Sequence, residues 1–174
     1  GVRYSEGLYK NTFIGRTFIM PGQAERKKSV KYKLVPQDLE IRDKKVMIVD
    51  DSIVRGNTSR EIVRMLKDFG ANKVYFASAC PPIKSPCFYG VDMPTRGELI
   101  AGNMNVDEIE KHLKVDALLY QDIGDLVEAV TRKGDHHIDT PCMACLDGNY
   151  VGNDIDEAKI AEMETMRVND RNGN

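Results

Sequence analysis

Apolar positions along this chain follow two alternating patterns. Short unbroken runs occur at Val46-Met47-Ile48-Val49, around Val74-Tyr75-Phe76-Ala77 within 73–80, and again at 115–120. Between and after them the spacing changes to three and four. Residues 58–69 place Ile62, Met65 and Leu66 on one stripe, Val106–Leu113 does the same with Val106, Ile109 and Leu113, and Ile123–Thr131 reads as a third helix. Unbroken apolar runs predict buried strands of a parallel sheet, covered on both faces. Strands alternating with helices predict an α/β fold in which helices flank that sheet. Gly70 is placed to close the first helix, and Pro81-Pro82 to stop the second strand. Residues 81–93 read as a loop rich in Pro and Gly, leading through Asp92-Met93-Pro94 into a helix around 95–101.

The two ends are less regular. Residues 1–11 are polar and weakly patterned, whereas 12–14 and 17–20 are β-branched and aromatic, divided by Gly15-Arg16. They predict a strand or a bent strand pair. Pro21-Gly22 signals a turn, 23–33 a polar basic loop, and 32–36 a short return strand. At the other end 154–167 is helix-compatible, with Ile160, Met163 and Met166 roughly on one face, and 168–174 is expected to be disordered.

Candidate chemistry begins where the first apolar run stops. Asp50 and Asp51 follow Val49, and Arg55-Gly56-Asn57-Thr58-Ser59 opens the next helix. Ligands of open α/β sheets bind at the carboxyl ends of strands. A glycine there permits close backbone approach, and the amides of a helix N-terminus form an anion cradle. Thr58 or Ser59 could cap the helix or donate a hydroxyl to a phosphate. Two carboxylates repel phosphate but suit sugar hydroxyls or a hard cation such as Mg²⁺. Together the pattern points to a phosphorylated sugar. Acids that merely cap the helix would explain one aspartate and leave the glycine and hydroxyls without a reason.

Composition narrows the class. The 174 residues are 41% hydrophobic and 30% charged, enough for one domain with a sizeable core. The net charge of −2 argues against a general nucleic-acid binder. No apolar run approaches membrane-spanning length and no signal peptide opens the chain, so a cytoplasmic location with no membrane partner is expected. The first residue is Gly rather than Met, which suggests a fragment or processed product. Charge is uneven: Lys10, Arg16, Arg26, Lys27, Lys28, Lys31 and Lys33 face only Glu25 between 10 and 33. A long basic loop beside a phosphate cradle suggests an anion-binding role.

Residues 49–59, V-D-D-S-I-V-R-G-N-T-S, resemble the phosphoribosyl-pyrophosphate (PRPP) loop of type I phosphoribosyltransferases. The wording is that of the glutamine amidophosphoribosyltransferase family, and Gly15 to Gln23, Tyr89 to Pro94 and Cys142 to Cys145 resemble it too. Asn57 stands where the family pattern has Thr. The resemblance implies a type I phosphoribosyltransferase-like fold with a flexible lid loop. Residues 1–150 would be a partial phosphoribosyltransferase domain, lacking its first strand and helix and the N-terminal glutaminase domain. Residues 151–174 would be an acidic C-terminal helix and tail.

The implied reaction is the first committed step of purine synthesis. Ammonia derived from glutamine displaces pyrophosphate from C1 of PRPP and yields 5-phosphoribosylamine. Asp50, Asp51, Ser52, Arg55, Gly56, Asn57, Thr58 and Ser59 would bind PRPP, the two aspartates through Mg²⁺ or directly. Lys27, Lys28 and Ser29 would contact phosphates from the lid, and Lys10 and Arg16 would act there on the departing pyrophosphate. The fragment alone should not use glutamine. Purine nucleotides are the expected feedback inhibitors, and the state is expected to be a homo-oligomer. The alternative is a regulatory protein of the same fold that senses PRPP without turnover.

Four cysteines in such a protein argue against disulfides. Cys80 reads as a buried apolar residue. Cys142-Met143-Ala144-Cys145 could bite one metal centre. One branch of the resembling family carries a 4Fe–4S cluster, so Cys87, Cys142 and Cys145 would be three ligands with the fourth outside this chain. A zinc site of Cys142 and Cys145 with His136 and His137, or no metal at all, remain open at this point.

Overall fold

The computed structural model describes residues 2–10, 34–132, 140–152 and 155–172. The expected strands at 12–20, the basic loop, and His136 with His137 lie outside the described residues. The chain divides into two compact units, one of Gly1–Asp50, Gly56–Ala77 and Val106–Leu119, the other of Asp51–Arg55, Ser78–Asn105 and Tyr120–Asn174.

In the first unit β1 (Leu8–Lys10) pairs antiparallel with β2 (Leu34–Pro36), Tyr9 lying opposite Val35. Residues 8–10 thus form a strand where patterning gives little signal, because three residues are too few to show a period. A short α1 (Asp38–Ile41) follows and buries Ile41 completely. The parallel sheet has the order β3 (Lys45–Asp50), β4 (Lys73–Ser78), β5 (Ala117–Tyr120). Helix α2 (Asn57–Asp68) connects the first two strands and buries Ser59, Ile62, Val63, Met65 and Leu66. These are one face of a 3.6-residue period.

Gly70 ends α2 at φ +84°; its N–H donates to Lys67 O at 2.9 Å, and Ala71 N–H to Leu66 O at 3.0 Å. This is the Schellman closure expected of a glycine at that position. On β4 Val74 and Phe76 have no exposed surface. The start of β5 is locked to it: Val74 N–H donates to the Asp116 carboxylate at 2.8 Å, and Asp116 N–H returns a bond to Val74 O at 2.8 Å.

One expectation is corrected here. The apolar run of β3 is covered on one face only among the described residues, since exposure alternates along it, with Met47 49% and Val49 72% exposed. An unbroken apolar run predicts cover on both faces, but among the described residues β3 is an end strand of its sheet.

The second unit is organised around Ile83, Leu99 and Leu146, against which Val54, Cys80, Met93, Ile123, Leu126, Met143 and Cys145 pack. The helix expected at 95–101 is a 3₁₀ turn, Arg96–Glu98, followed by α3 (Ile100–Asn103). Helix α4 (Val106–Leu113), in the first unit, packs on α2 and buries Ile109 and Leu113, while Val106 stays exposed. Helix α5 (Ile123–Thr131) is capped by Asp122, which accepts from Gly124 N–H at 2.7 Å. A short α6 (Ala144–Asp147) carries Cys145.

The C-terminal helix α7 (Glu157–Asn172) runs through 168–172, beyond the helix expected from sequence. Asp156 accepts Lys159 N–H at 2.8 Å before it, and Ile160 is buried. Arg167 donates to Met93 O and Cys87 O and lies over the Phe88 ring, 5.5 Å from its centroid. These contacts dock the helix on the 87–96 loop, using polar reach where the apolar stripe is thin.

Phe76→Ala is expected to cost about 3–5 kcal/mol of stability. Val49→Ala should cost less than about 1 kcal/mol, because the side chain already faces out. Urea midpoints read both; equal losses would show that β3 is packed on both faces.

Candidate functional site

At the carboxyl end of β3 the chain leaves the sheet at Asp50 and starts α2 within six residues. Two apolar anchors, one buried and one partly buried, make so short a turn possible. Ile53 is 1% exposed, and Val54 lies on the Ile83–Leu99–Leu146 core while its carbonyl accepts Ile100 N–H at 2.9 Å. Gly56 then adopts φ +73°, ψ −6° at the N-cap of α2. A residue with a Cβ is disfavoured there, so the glycine is a requirement of the turn.

Helix α2 opens with no acidic residue in its first turn and no side-chain cap hydrogen bond. Its first bond runs from Arg60 N–H to Gly56 O at 2.9 Å. Amides before that point have no acceptor within the helix, and the positive end of the helix dipole lies with them. Asn57 and Thr58 are exposed beside these amides, while Ser59 is turned into the core at 3% exposure. Ser59 therefore serves packing in this arrangement, and the exposed polar side chains are those of Asn57 and Thr58.

On the other side of the turn Asp51 is exposed and accepts the Ser52 hydroxyl at 2.9 Å. Arg55 is directed at Glu98: its Nε and Nη2 both donate to Oε1, at 3.1 and 2.9 Å. Glu98 also accepts from Thr95 N–H and Thr95 Oγ1 through Oε2, each at 3.2 Å. Thr95 and Glu98 were not singled out from sequence, although Thr-x-x-Glu is the spacing of a capping box. Lys10 sits at the end of β1 opposite Leu34. Arg16, Lys27, Lys28 and Ser29 lie outside the described residues.

The cysteines gather in the second unit. Cys142 is exposed, and Cys80, Cys87 and Cys145 are half-buried. Burial first, then the neighbouring Cys87 and, more weakly, Cys142, push the Cys145 thiol up; burial, then Cys145 and Asp51, do the same to Cys80. Cys145 is thus within electrostatic reach of both other expected ligands. Its carbonyl accepts Lys84 N–H at 2.9 Å and Ser85 N–H at 3.0 Å, which ties α6 to the loop that carries Cys87. Among the described residues, however, no group of three or more His, Cys, Asp or Glu side chains is gathered to hold a metal ion. The thiols adjoin without closing into a ligand set. For Mg²⁺ the chemistry is less demanding, since that ion commonly uses one or two carboxylates plus substrate phosphates. Asp50 and Asp51 supply that much.

No family model matches the chain. Curated relatives do. Over 167 residues it is 50% identical to the amidophosphoribosyltransferase of Pseudomonas aeruginosa, covering 96% of this chain and 33% of that protein. Over 170 residues it is 46% identical to the enzyme of that name from Escherichia coli, covering 98% and 34%. A solved structure described as the allosteric regulatory enzyme of purine biosynthesis superposes with a TM-score of 0.75 at 40% identity, covering 94% of this chain and 35% of the other.

The chain matches the C-terminal part of amidophosphoribosyltransferases. Glutamine PRPP amidotransferase from B. subtilis, solved with ADP and GMP, gives a TM-score of 0.69 at 41% identity over 88% of this chain and 34% of its own. The fold is accordingly that of a type I phosphoribosyltransferase. The chain spans about a third of the length of the amidophosphoribosyltransferases it matches.

Tyr120, at the end of β5, generates a pH prediction. Its hydroxyl is buried with no hydrogen-bond partner among the described residues, and burial, with Cys80 adding, pushes its pKa up to about 12. A raised folded-state value means that stability is fully present below the unfolded pKa, about 10. It is lost as pH rises from there through about 12. Tyr120→Phe should remove that alkaline loss and leave neutral-pH stability unchanged or slightly higher. Urea unfolding at pH 7 and pH 11 measures both; an alkaline loss that persists in the variant would place its origin elsewhere.

Proposed function

We propose that this chain is the PRPP-binding part of an amidophosphoribosyltransferase, a pentosyltransferase acting in purine synthesis. The observation that carries the reading is the start of α2. A left-handed Gly56 opens a helix free of acidic first-turn residues, shortly after the Asp50-Asp51 pair. The amides of Asn57, Thr58 and neighbours would hold the 5′-phosphate of the sugar. Asp50 and Asp51 would hold the ribose hydroxyls, directly or with a magnesium ion that arrives with the substrate and neutralises part of the pyrophosphate charge. Lys10, Arg16, Lys27, Lys28 and Ser29 would meet the leaving pyrophosphate.

Displacement at C1 needs no side-chain nucleophile, since ammonia attacks the sugar carbon as pyrophosphate leaves. The contribution of the chain is positioning and stabilisation of departing charge, together with exclusion of water from a cation-like transition state. Residues 1–150 supply the transferase part and 151–174 the helical tail. The glutaminase that releases ammonia would lie in sequence that the full-length relatives have beyond this match. Purine nucleotides as inhibitors, a homo-oligomeric assembly and a cytoplasmic location complete the proposal; ADP and GMP on the B. subtilis enzyme support the first. No described helix is long and apolar enough to cross a membrane.

Asp50→Asn combined with Asp51→Asn, in a full-length amidophosphoribosyltransferase carrying this segment, should weaken magnesium–PRPP binding by at least about tenfold, the loss of roughly one charge-assisted contact. The circular dichroism spectrum should not change. Calorimetry reads the affinity, and an unaltered value would refute the site. Binding without ammonia-dependent pyrophosphate release would instead favour a PRPP sensor.

We further infer that Cys87, Cys142 and Cys145 are this chain's share of a 4Fe–4S cluster. Support comes from the thiol donor type and from the proximity of Cys145 to the other two. The full-length protein purified without oxygen should contain about four irons per chain. Cys87→Ser should lose the iron and Cys80→Ser should retain it. Iron-free protein by elemental analysis would exclude the cluster.

A further inference from the structure

Arg55 lies between the partly buried Val54 and the left-handed Gly56, so its position bears directly on the turn that starts α2. Its guanidinium does not hang in solvent. It is engaged by a carboxylate whose two oxygens are both committed: Glu98 Oε1 takes Arg55 Nε and Nη2, and Oε2 takes the backbone and hydroxyl of Thr95. A carboxylate held by four donors has little freedom to turn, and it therefore orients the arginine. Two residues beyond Glu98, Ile100 N–H donates to Val54 O, so side chain and backbone tie the same two stretches together.

The other side of that turn faces the C-terminal helix. Arg96 N–H donates to Glu164 Oε1 at 2.6 Å, its Nη1 meets Glu157 Oε2 at 2.9 Å, and its Nε lies 3.5 Å from Glu164 Oε2. Glu157, then Glu164, raise the Arg96 pKa accordingly. Arg55, Glu98, Arg96 and Glu164 thus form a line of alternating charge across one 3₁₀ turn. Glu164 is the most covered of the four, its side chain 19% exposed, while the Arg55–Glu98 pair is about 37% and 36% exposed. Isolated surface ion pairs contribute little to stability. A pair that shares its carboxylate with a capping box fixes geometry instead.

We propose that Glu98 is a positioning residue of the candidate PRPP loop, holding Arg55, and that Arg96, Glu157 and Glu164 make α7 part of the same support. The inference rests on the PRPP reading given above. It assigns the C-terminal helix a role in substrate affinity, whereas its docking alone would require only stability.

The test uses steady-state kinetics of a full-length amidophosphoribosyltransferase carrying this segment, with ammonia as nitrogen donor and pyrophosphate release as readout. Glu98→Gln should raise the KM for PRPP about tenfold with kcat within about threefold, as loss of binding geometry does. Arg55→Met should do at least as much, and the double variant no more than Arg55→Met alone, because both break one link. Exchanging the charges, Arg55→Glu with Glu98→Arg, should recover part of the loss. Glu157→Gln with Glu164→Gln, on a helix that can loosen without unfolding the core, should raise KM about threefold and leave kcat unchanged.

Effects of Glu98→Gln and Arg55→Met that multiply in the double variant would overturn the link. So would an unchanged KM in both Glu98→Gln and the α7 pair. The Asp50→Asn, Asp51→Asn variant separates the two readings. If it raises KM and the others do not, only this inference falls; if it too is silent, the PRPP site itself is misplaced.

Discussion

A strand can hand over to a helix within six residues only if the backbone reverses sharply, and here that reversal depends on Gly56 holding φ +73°. Everything nearby serves that conformation. Before it in the chain Ile53 is buried and Val54 partly buried, and after it Ser59, Ile62 and Val63 are buried. The chain is thus pinned before and after a residue that costs conformational entropy to order. The result is a helix start with polar, exposed Asn57 and Thr58 and without the acidic first turn that many helices use to satisfy their own dipole. A self-neutralised helix start would have no use for a phosphate. This one has no such acid in its first turn and no side-chain cap.

Much of this was legible in the residues. The alternation of apolar runs with three-four spacing places β3, α2, β4, α4, β5 and α5 close to where they occur. Val106–Leu113 and Ile123–Thr131 agree to the residue. Periodicity works there because each element is long enough to show a period and has one face to bury. It fails at Leu8–Lys10, too short to show a period, whereas the return strand expected at 32–36 is found at Leu34–Pro36, paired with it.

The contacts made around the site have a similar origin. Arg55 neighbours the phosphate cradle, and its guanidinium is engaged by a glutamate 43 positions later, a partner no local pattern reveals. Ser59 invites assignment as a hydroxyl donor, yet the helical phase turns it into the core. Spacing tells which face of a helix a residue occupies only once the buried face is known. For the cysteines, type and spacing say which atoms could bind a metal, whereas convergence is a property of the folded chain; Cys145 comes within reach of Cys87 and Cys142 without the three closing on a centre.

The uncovered face of β3 has a further consequence for how this chain behaves in solution. Met47 and Val49 are exposed on β3, which is an end strand of its sheet among the described residues. Such a strand is a template for adding another, whether from the same molecule or from a neighbour. Lys44 and Lys45 precede it and Asp50 and Asp51 follow it, so charges of opposite sign bracket the apolar run at its two ends. Flanking charges of this kind act as gatekeepers against uncontrolled strand addition. In an antiparallel pairing of two copies each positive end would meet the partner's negative end, and the same charges would then favour association. A parallel approach would bring like charges together. The aspartates at the end of β3 would thereby also bias which strand orientation this edge accepts.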